Sequence, residues 1–323
     1  MMWLTWRQHR KQALFAVIAF AGLATVLGAT GWQMHRTFVD TGLAACLRNL
    51  GTAATVPTSS AIACEGAAED LYDAHGGWIL PAVLLVCLPL LVGLFFGAPL
   101  VSREVERGTH RLVWTQDVTR LRWALVKFGL VAAGATVFAT AYALLTTWWL
   151  VPLTHADPNN GRFNFPFFDL YGIAPVGYTL FAVALGIFAG TISRNMLPAM
   201  AITLVSFLSA RVAVTVLARP RFQAPLQRTF PVASDVAPNR SLDDWILSHG
   251  IYDGAETLIA ADTIGVCHAS EADVCGGPDR FNVWTYQPGD RFWLFQYLEV
   301  GLYVLLAAIL ILLALWRVRR RIS

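Results

Sequence analysis

The chain has 323 residues, 56% of them hydrophobic and 14% charged, with a formal net charge of +3. A soluble domain of this length is not so apolar, so the composition excludes the soluble classes and points to a polytopic membrane protein. Nothing in this small positive balance calls for a nucleic-acid partner, and none is expected.

A helix needs about 20 mainly apolar residues to cross the hydrocarbon core. Six runs meet that need: 13–32, 78–101, 123–151, 172–192, 197–218 and 292–316. The expected fold class is therefore an all-α membrane protein with six transmembrane helices, residues 1–323 forming one transmembrane domain.

Before the first run, Trp3 and Trp6 stand beside Arg7, Arg10 and Lys11. Indoles favour the headgroup layer and cations the anionic inner leaflet, so an N-terminal interfacial elbow helix is expected. A positive-inside flank with aromatic anchors explains the same residues. The first run is longer than a signal-peptide core and no small-x-small site follows Gly31, so it is expected to be retained as a span.

Basic residues set the orientation. With the N-terminus inside, the inner segments carry 14 basic and 3 acidic residues, net +11. The outer segments 33–77, 152–171 and 219–291 carry 9 basic and 17 acidic residues, net −8. Both termini are expected in the cytoplasm, in a multi-pass protein of the cell membrane.

Outer loop 33–77 holds Cys46 and Cys64, and outer loop 219–291 holds Cys267 and Cys275. Two cysteines per loop on the oxidising side predict the disulfides Cys46–Cys64 and Cys267–Cys275. Cys267 beside His268 lacks the spacing of a zinc site, so no metal is expected. The second run carries Pro81, Pro89 and Pro99 and should be kinked or broken.

Segment 102–122 is the charged insert between the second and third runs. Arg103, Arg107 and Arg111 recur at i, i+4 and i+8 on one helical face, and Val105, Leu112 and Val113 fall on another. Asp117 or Thr119 can cap the third span. A basic face can rest on anionic lipid. The admixed Glu104 and Glu106 favour a protein partner of complementary charge.

SREVERGTHRLVWTQDVTRLRWALVK resembles the segment after the second span of ATP-binding-cassette type-2 permeases, where an acidic-basic E-R-E-x-G-T pattern precedes a coupling helix. The opening WLTWRQHR and the ending YQPGDRFWLFQYLEVGLYVLLAAILILLALWRVRRR are similar to the actinobacterial branch of that family. The resemblance covers the span count, both ends and the insert. It implies a coupling helix seated on a separate nucleotide-binding ATPase, with a second permease copy or homologue opposite. Glu104, Glu106, Arg107, Gly108 and Thr109 carry the family pattern, and Arg103 and Arg111 complete the basic face.

The sequence has no G-x-x-x-x-G-K-[ST] stretch, nor H-E-x-x-H or G-x-S-x-G. The chain is thus expected to be non-catalytic and to bind no cofactor, with ATP and Mg held by the partner ATPase. The resemblance, and no single residue, implies an outward direction, so the chain is expected to serve an exporter of a hydrophobic or amphipathic substrate. A membrane sensor with ligand-binding outer loops and an ion-coupled carrier are the rival readings.

Two further expectations concern the outer half. Arg211 and Glu299 lie at matching depth on the fifth and sixth runs, so they should pair, because either charge alone in hydrocarbon is costly. A structural ion pair and a group at the cavity or outer gate both fit. Segment 241–260, opening with Ser241, Asp243 and Asp244, predicts a short helix or helix pair over the outer mouth. Trp148, Trp149, Phe163, Phe165, Phe167 and Phe168 suit an interfacial belt or a ligand surface.

Overall fold

The computed structural model describes residues 2–51, 53, 55–106, 119–156, 161–193, 195–234, 236–239, 243–254, 257–263 and 279–321. Six helical stretches are long and apolar enough to cross a membrane: Ala13–Asp40, Thr58–Glu104, Arg120–Ala156, Ala174–Ile192, Met196–Arg221 and Gly289–Arg320. They are the first to sixth spans below. The first helix runs from Met2 to Asp40 without a break, so no separate elbow is set off from the span.

The fourth span is the axis of the bundle. It packs against the second, third, fifth and sixth, and most of its residues are buried. Its closest crossing is with the second span. Gly93 and Gly97, a pair at i, i+4, pack against Ala182, Val183 and Gly186, and Gly190, four residues after Gly186, packs against Ala98. A methyl on Gly186 would come within 2.6 Å of the Gly93 carbonyl oxygen, and one on Gly190 within 2.7 Å of the Ala98 carbonyl. Small residues let two backbones touch where lipid supplies no hydrophobic drive for association.

The second span is interrupted as its prolines predict. Helical pieces Ile79–Leu85 and Leu88–Val92 are followed by a π turn, Gly93–Gly97, and a last helix, Pro99–Glu106. Pro89 has no N–H for the Leu85 carbonyl. The Tyr142 hydroxyl of the third span donates to that carbonyl instead, at 2.8 Å. The first span leans on the third, where Trp149 donates its indole N–H to Thr30 (3.0 Å) and Phe20 meets Phe138 edge-on.

Loop 33–77 is mostly helical. The first span continues to Asp40, and helices Leu43–Leu50 and Thr58–His75 follow. A Cys46–Cys64 disulfide ties these two helices, with Cα atoms 5.6 Å apart, over a small core of Leu43, Leu71 and Ala156. Cys267 and Cys275 lie outside the described residues.

The segment expected to be helical over 241–260 is instead a pair of strands. Strands β1 (Thr55–Pro57) and β3 (Val236–Pro238) pair antiparallel and join the two outer loops. Strands β2 (Leu226–Pro231), β4 (Trp245–Asp253), β5 (Leu258–Ala261) and β6 (Arg280–Gln287) form an antiparallel sheet in the order β2-β6-β4-β5. Three features override the local helix signal. Asp243 sits at φ 54°, which a helical first turn cannot use. Gly250 packs where a Cβ would lie 2.9 Å from the Ala260 carbonyl. Strand β6, RFNVWTYQ, is rich in β-branched and aromatic residues and pairs along the whole of β4. Ser241, the expected cap, lies outside the described residues.

Candidate functional site

Charged side chains gather at both ends of the bundle, called inner and outer after the orientation expected from the basic residues. At the inner end, the last turn of the second span carries Arg103, Glu104 and Glu106. Glu104 turns inward to form an ion pair with Lys127 of the third span, and Lys127 also lies 4.9 Å from the centre of the Trp123 ring. Glu106 accepts the Met196 N–H at the start of the fifth span, 3.1 Å away. A carboxylate there satisfies a backbone donor the helix leaves open and matches its dipole. Arg317 of the sixth span donates to the Thr191 carbonyl at the end of the fourth, at 3.1 Å. The second span is thereby fastened to the third and fifth, and the fourth to the sixth.

Arg103 is exposed at this end. Arg107, Gly108, Thr109 and Arg111 lie outside the described residues, as does Asp117. Thr119 stands at the head of the third span, where its hydroxyl accepts the Arg122 N–H at 3.4 Å.

At the outer end the expected Arg211–Glu299 contact is part of a larger cluster. Arg211 Nη1 lies 3.0 Å from Glu299 Oε1, and Arg211 Nη2 lies 2.6 Å from Asp169 Oδ2. Arg219 bridges the same two carboxylates, through Nη2 to Asp169 (2.9 Å) and Nε to Glu299 (2.8 Å). The Tyr178 hydroxyl donates to Glu299 Oε1 at 2.6 Å. The Arg211 guanidinium stacks 3.7 Å from the Tyr178 ring centre, and that of Arg219 lies 3.9 Å from Phe168. All four charged residues are buried, Glu299 completely.

Two positive and two negative groups cancel, so each buried charge is met by opposite charges and hydrogen bonds. Burial pushes the Asp169 carboxyl up, but Arg211 and Arg219 outweigh it and hold the group below the ordinary carboxylate range. One turn before Glu299, Gln296 accepts the Ala174 and Ile173 N–H groups (2.8 and 3.1 Å) and donates to the Phe168 carbonyl (3.0 Å). The fourth span has no cap of its own, and Gln296 caps it from the sixth.

Asp169 and Arg219 were counted by sequence with the solvent-facing outer loops, and both are buried instead. Asp169 is carried inward on a short helix, Phe167–Leu170, that dips between the third and fourth spans. Trp149, Phe163, Phe167 and Phe168 are core residues around it, whereas Trp148 and Phe165 remain exposed. Asp243 holds Arg162 at 2.8 Å and ties the same segment to the outer sheet. Among the described residues, no three His, Cys, Asp or Glu side chains gather to hold a metal ion.

A six-span bundle whose second span ends in a charged sequence is the arrangement expected of a type-2 permease. The family description "ABC-2 membrane transporter related" matches residues 17–219. The chain belongs to that family. The match runs from the first span through Arg219, so it takes in Glu104, Glu106, Lys127 and three of the four outer charges, and Glu299 and Arg317 lie beyond it. ABC-2 membership makes the chain an ABC-2 type permease, in general a non-catalytic membrane component that works with an ABC ATPase. No curated protein and no solved structure matches it.

Proposed function

We propose that this ABC-2 permease is the membrane subunit of an ATP-driven exporter, moving a hydrophobic or amphipathic substrate with ATP hydrolysed by a separate nucleotide-binding subunit. The observation that carries the reading is the inner cluster. In the first turn of the charged insert, two neighbouring acidic residues grip two other spans, Glu104 the third and Glu106 the fifth. A push on the insert would therefore move three spans together. Exposed Arg103, with Arg107 and Arg111, offers charge to an acidic surface on the ATPase, while Glu104 acts inside the bundle. ATP binding would close the ATPases, and the insert would pass that motion to the spans. A second copy or homologue would complete the pathway, and the outer loops would shield it. Both termini would lie in the cytoplasm.

The test is a mild-detergent pull-down of the tagged chain from its native membranes, with ATPase activity assayed in the eluate. An Arg103→Ala/Arg107→Ala variant should lose the bound ATPase while keeping the fold, because it leaves the Glu104–Lys127 pair intact. A clean chain without ATPase, under conditions that hold other membrane complexes together, would refute the reading.

A further inference from the structure

The fifth span does not end as a regular helix. From Val214 to Ala218 it widens into a π turn, in which the Arg219 N–H donates to the Val214 carbonyl five residues back. Pro220 supplies a physical reason. It has no N–H for the Val216 carbonyl, and in a regular helix its ring would strike that carbonyl. Arg221 Nη1 donates to the nearby Leu217 carbonyl.

A π turn of this kind stores one extra residue within an α-helix. The effect on side-chain direction is large. Arg211 and Arg219 are eight residues apart. At 3.6 residues per turn, eight regular steps would leave them about 80° apart around the axis. With one residue stored, the eight steps count as seven, and the difference falls to about 20°. In that phase both guanidiniums meet the same two carboxylates, as observed.

We infer that the π turn is the positioning element that turns Arg219 into the buried cluster. This role needs no ATPase and does not rest on the permease reading.

The positioning role is read from the melting temperature of the purified full chain. Deleting Val216 in a Pro220→Ala background leaves seven regular steps between the arginines. Val216 is 61% exposed, so its loss removes no core side chain. This variant is expected to melt within about 3 °C of the unmodified chain, whereas Arg219→Gln melts roughly 10 °C lower. An alanine inserted after Val216 adds a step that the π turn does not absorb. It should lower the melting temperature as much as Arg219→Gln does, and no further when the two are combined. A deletion variant as unstable as Arg219→Gln overturns the positioning role. So does an insertion whose loss adds to that of Arg219→Gln.

Discussion

Removing Arg211 should cost far more than an exposed charge would, and removing Glu299 with it should give much of that back. In Arg211→Leu, Asp169 and Glu299 share Arg219 alone, so the buried cluster carries a net −1, and Asp169 Oδ2 loses its partner at 2.6 Å. In Glu299→Leu, two guanidiniums share Asp169, so the net is +1. Breaking a buried ion pair from one side costs about 3–5 kcal/mol, because an uncompensated charge stays behind. The double change leaves the Asp169–Arg219 contact at 2.9 Å, which is neutral. Its cost should fall to about 2–4 kcal/mol, against about 6–10 for two independent losses. The assay is thermal unfolding of the purified chain, in which 1 kcal/mol corresponds to about 2 °C in a chain of this size. Each single variant should melt about 6–10 °C lower, and the double variant no lower than the worse single. Losses that add would mean the four charges do not act as one unit, and the reasoning would fail.

Three other perturbations test other parts of the architecture. Tyr142→Phe leaves the Leu85 carbonyl unpaired at the Pro89 break and should cost about 1–3 kcal/mol by thermal melting, with no loss of side-chain volume beyond the hydroxyl. Gly186→Val should abolish the monodisperse species in size exclusion because backbone atoms lie 2.6–2.7 Å from its Cβ, whereas Gly22→Val, with nothing within 4 Å, should leave it intact. The Asp169 contribution to stability has a definite sign with pH. Its folded value is lowered, so the contribution is present above the unfolded value of about 4 and is lost only as pH falls through the lower folded value. Acid unfolding followed by tryptophan fluorescence should therefore lose this share of its pH dependence in Asp169→Asn.

The six spans were legible because hydrophobic runs of that length have one physical use. The kinked second span followed from three prolines. Arg211 and Glu299 were legible because a charge in hydrocarbon demands a partner at the same depth. Asp169 and Arg219 were not, because each stands at the edge of an apolar run, where sequence cannot tell a solvated loop from a segment folded back into the bundle. A signal was present: Gln296 and Glu299 lie at i, i+3 on one face, polar residues asking for more partners than Arg211 alone supplies. The glycine pairs 93/97 and 186/190 were equally open to reading as a tight crossing. The outer sheet was hidden for a different reason. Its strands pair across dozens of residues, and a local run such as Ser241-Leu242-Asp243-Asp244 carries a cap pattern that says nothing about strand β6.

The fifth span joins these observations. Along its length few side chains are buried, chiefly Ala199, Thr203, Phe207 and Arg211. Its hold on the bundle is concentrated at its ends: Glu106 on the Met196 N–H inside, and the arginine–carboxylate cluster outside. A helix gripped at both ends and lightly packed between them moves as a rod, since the helical backbone is stiff and sparse packing resists sliding weakly. Its one soft place is the π turn at Val214–Ala218, directly beside the outer grip. A displacement applied to Glu106 would reach Arg211 through about four turns of regular helix, and it would reach Arg219 only through that turn. The two arginines therefore sit on opposite sides of the softest point in the span, which is why the stability of the cluster should depend on both.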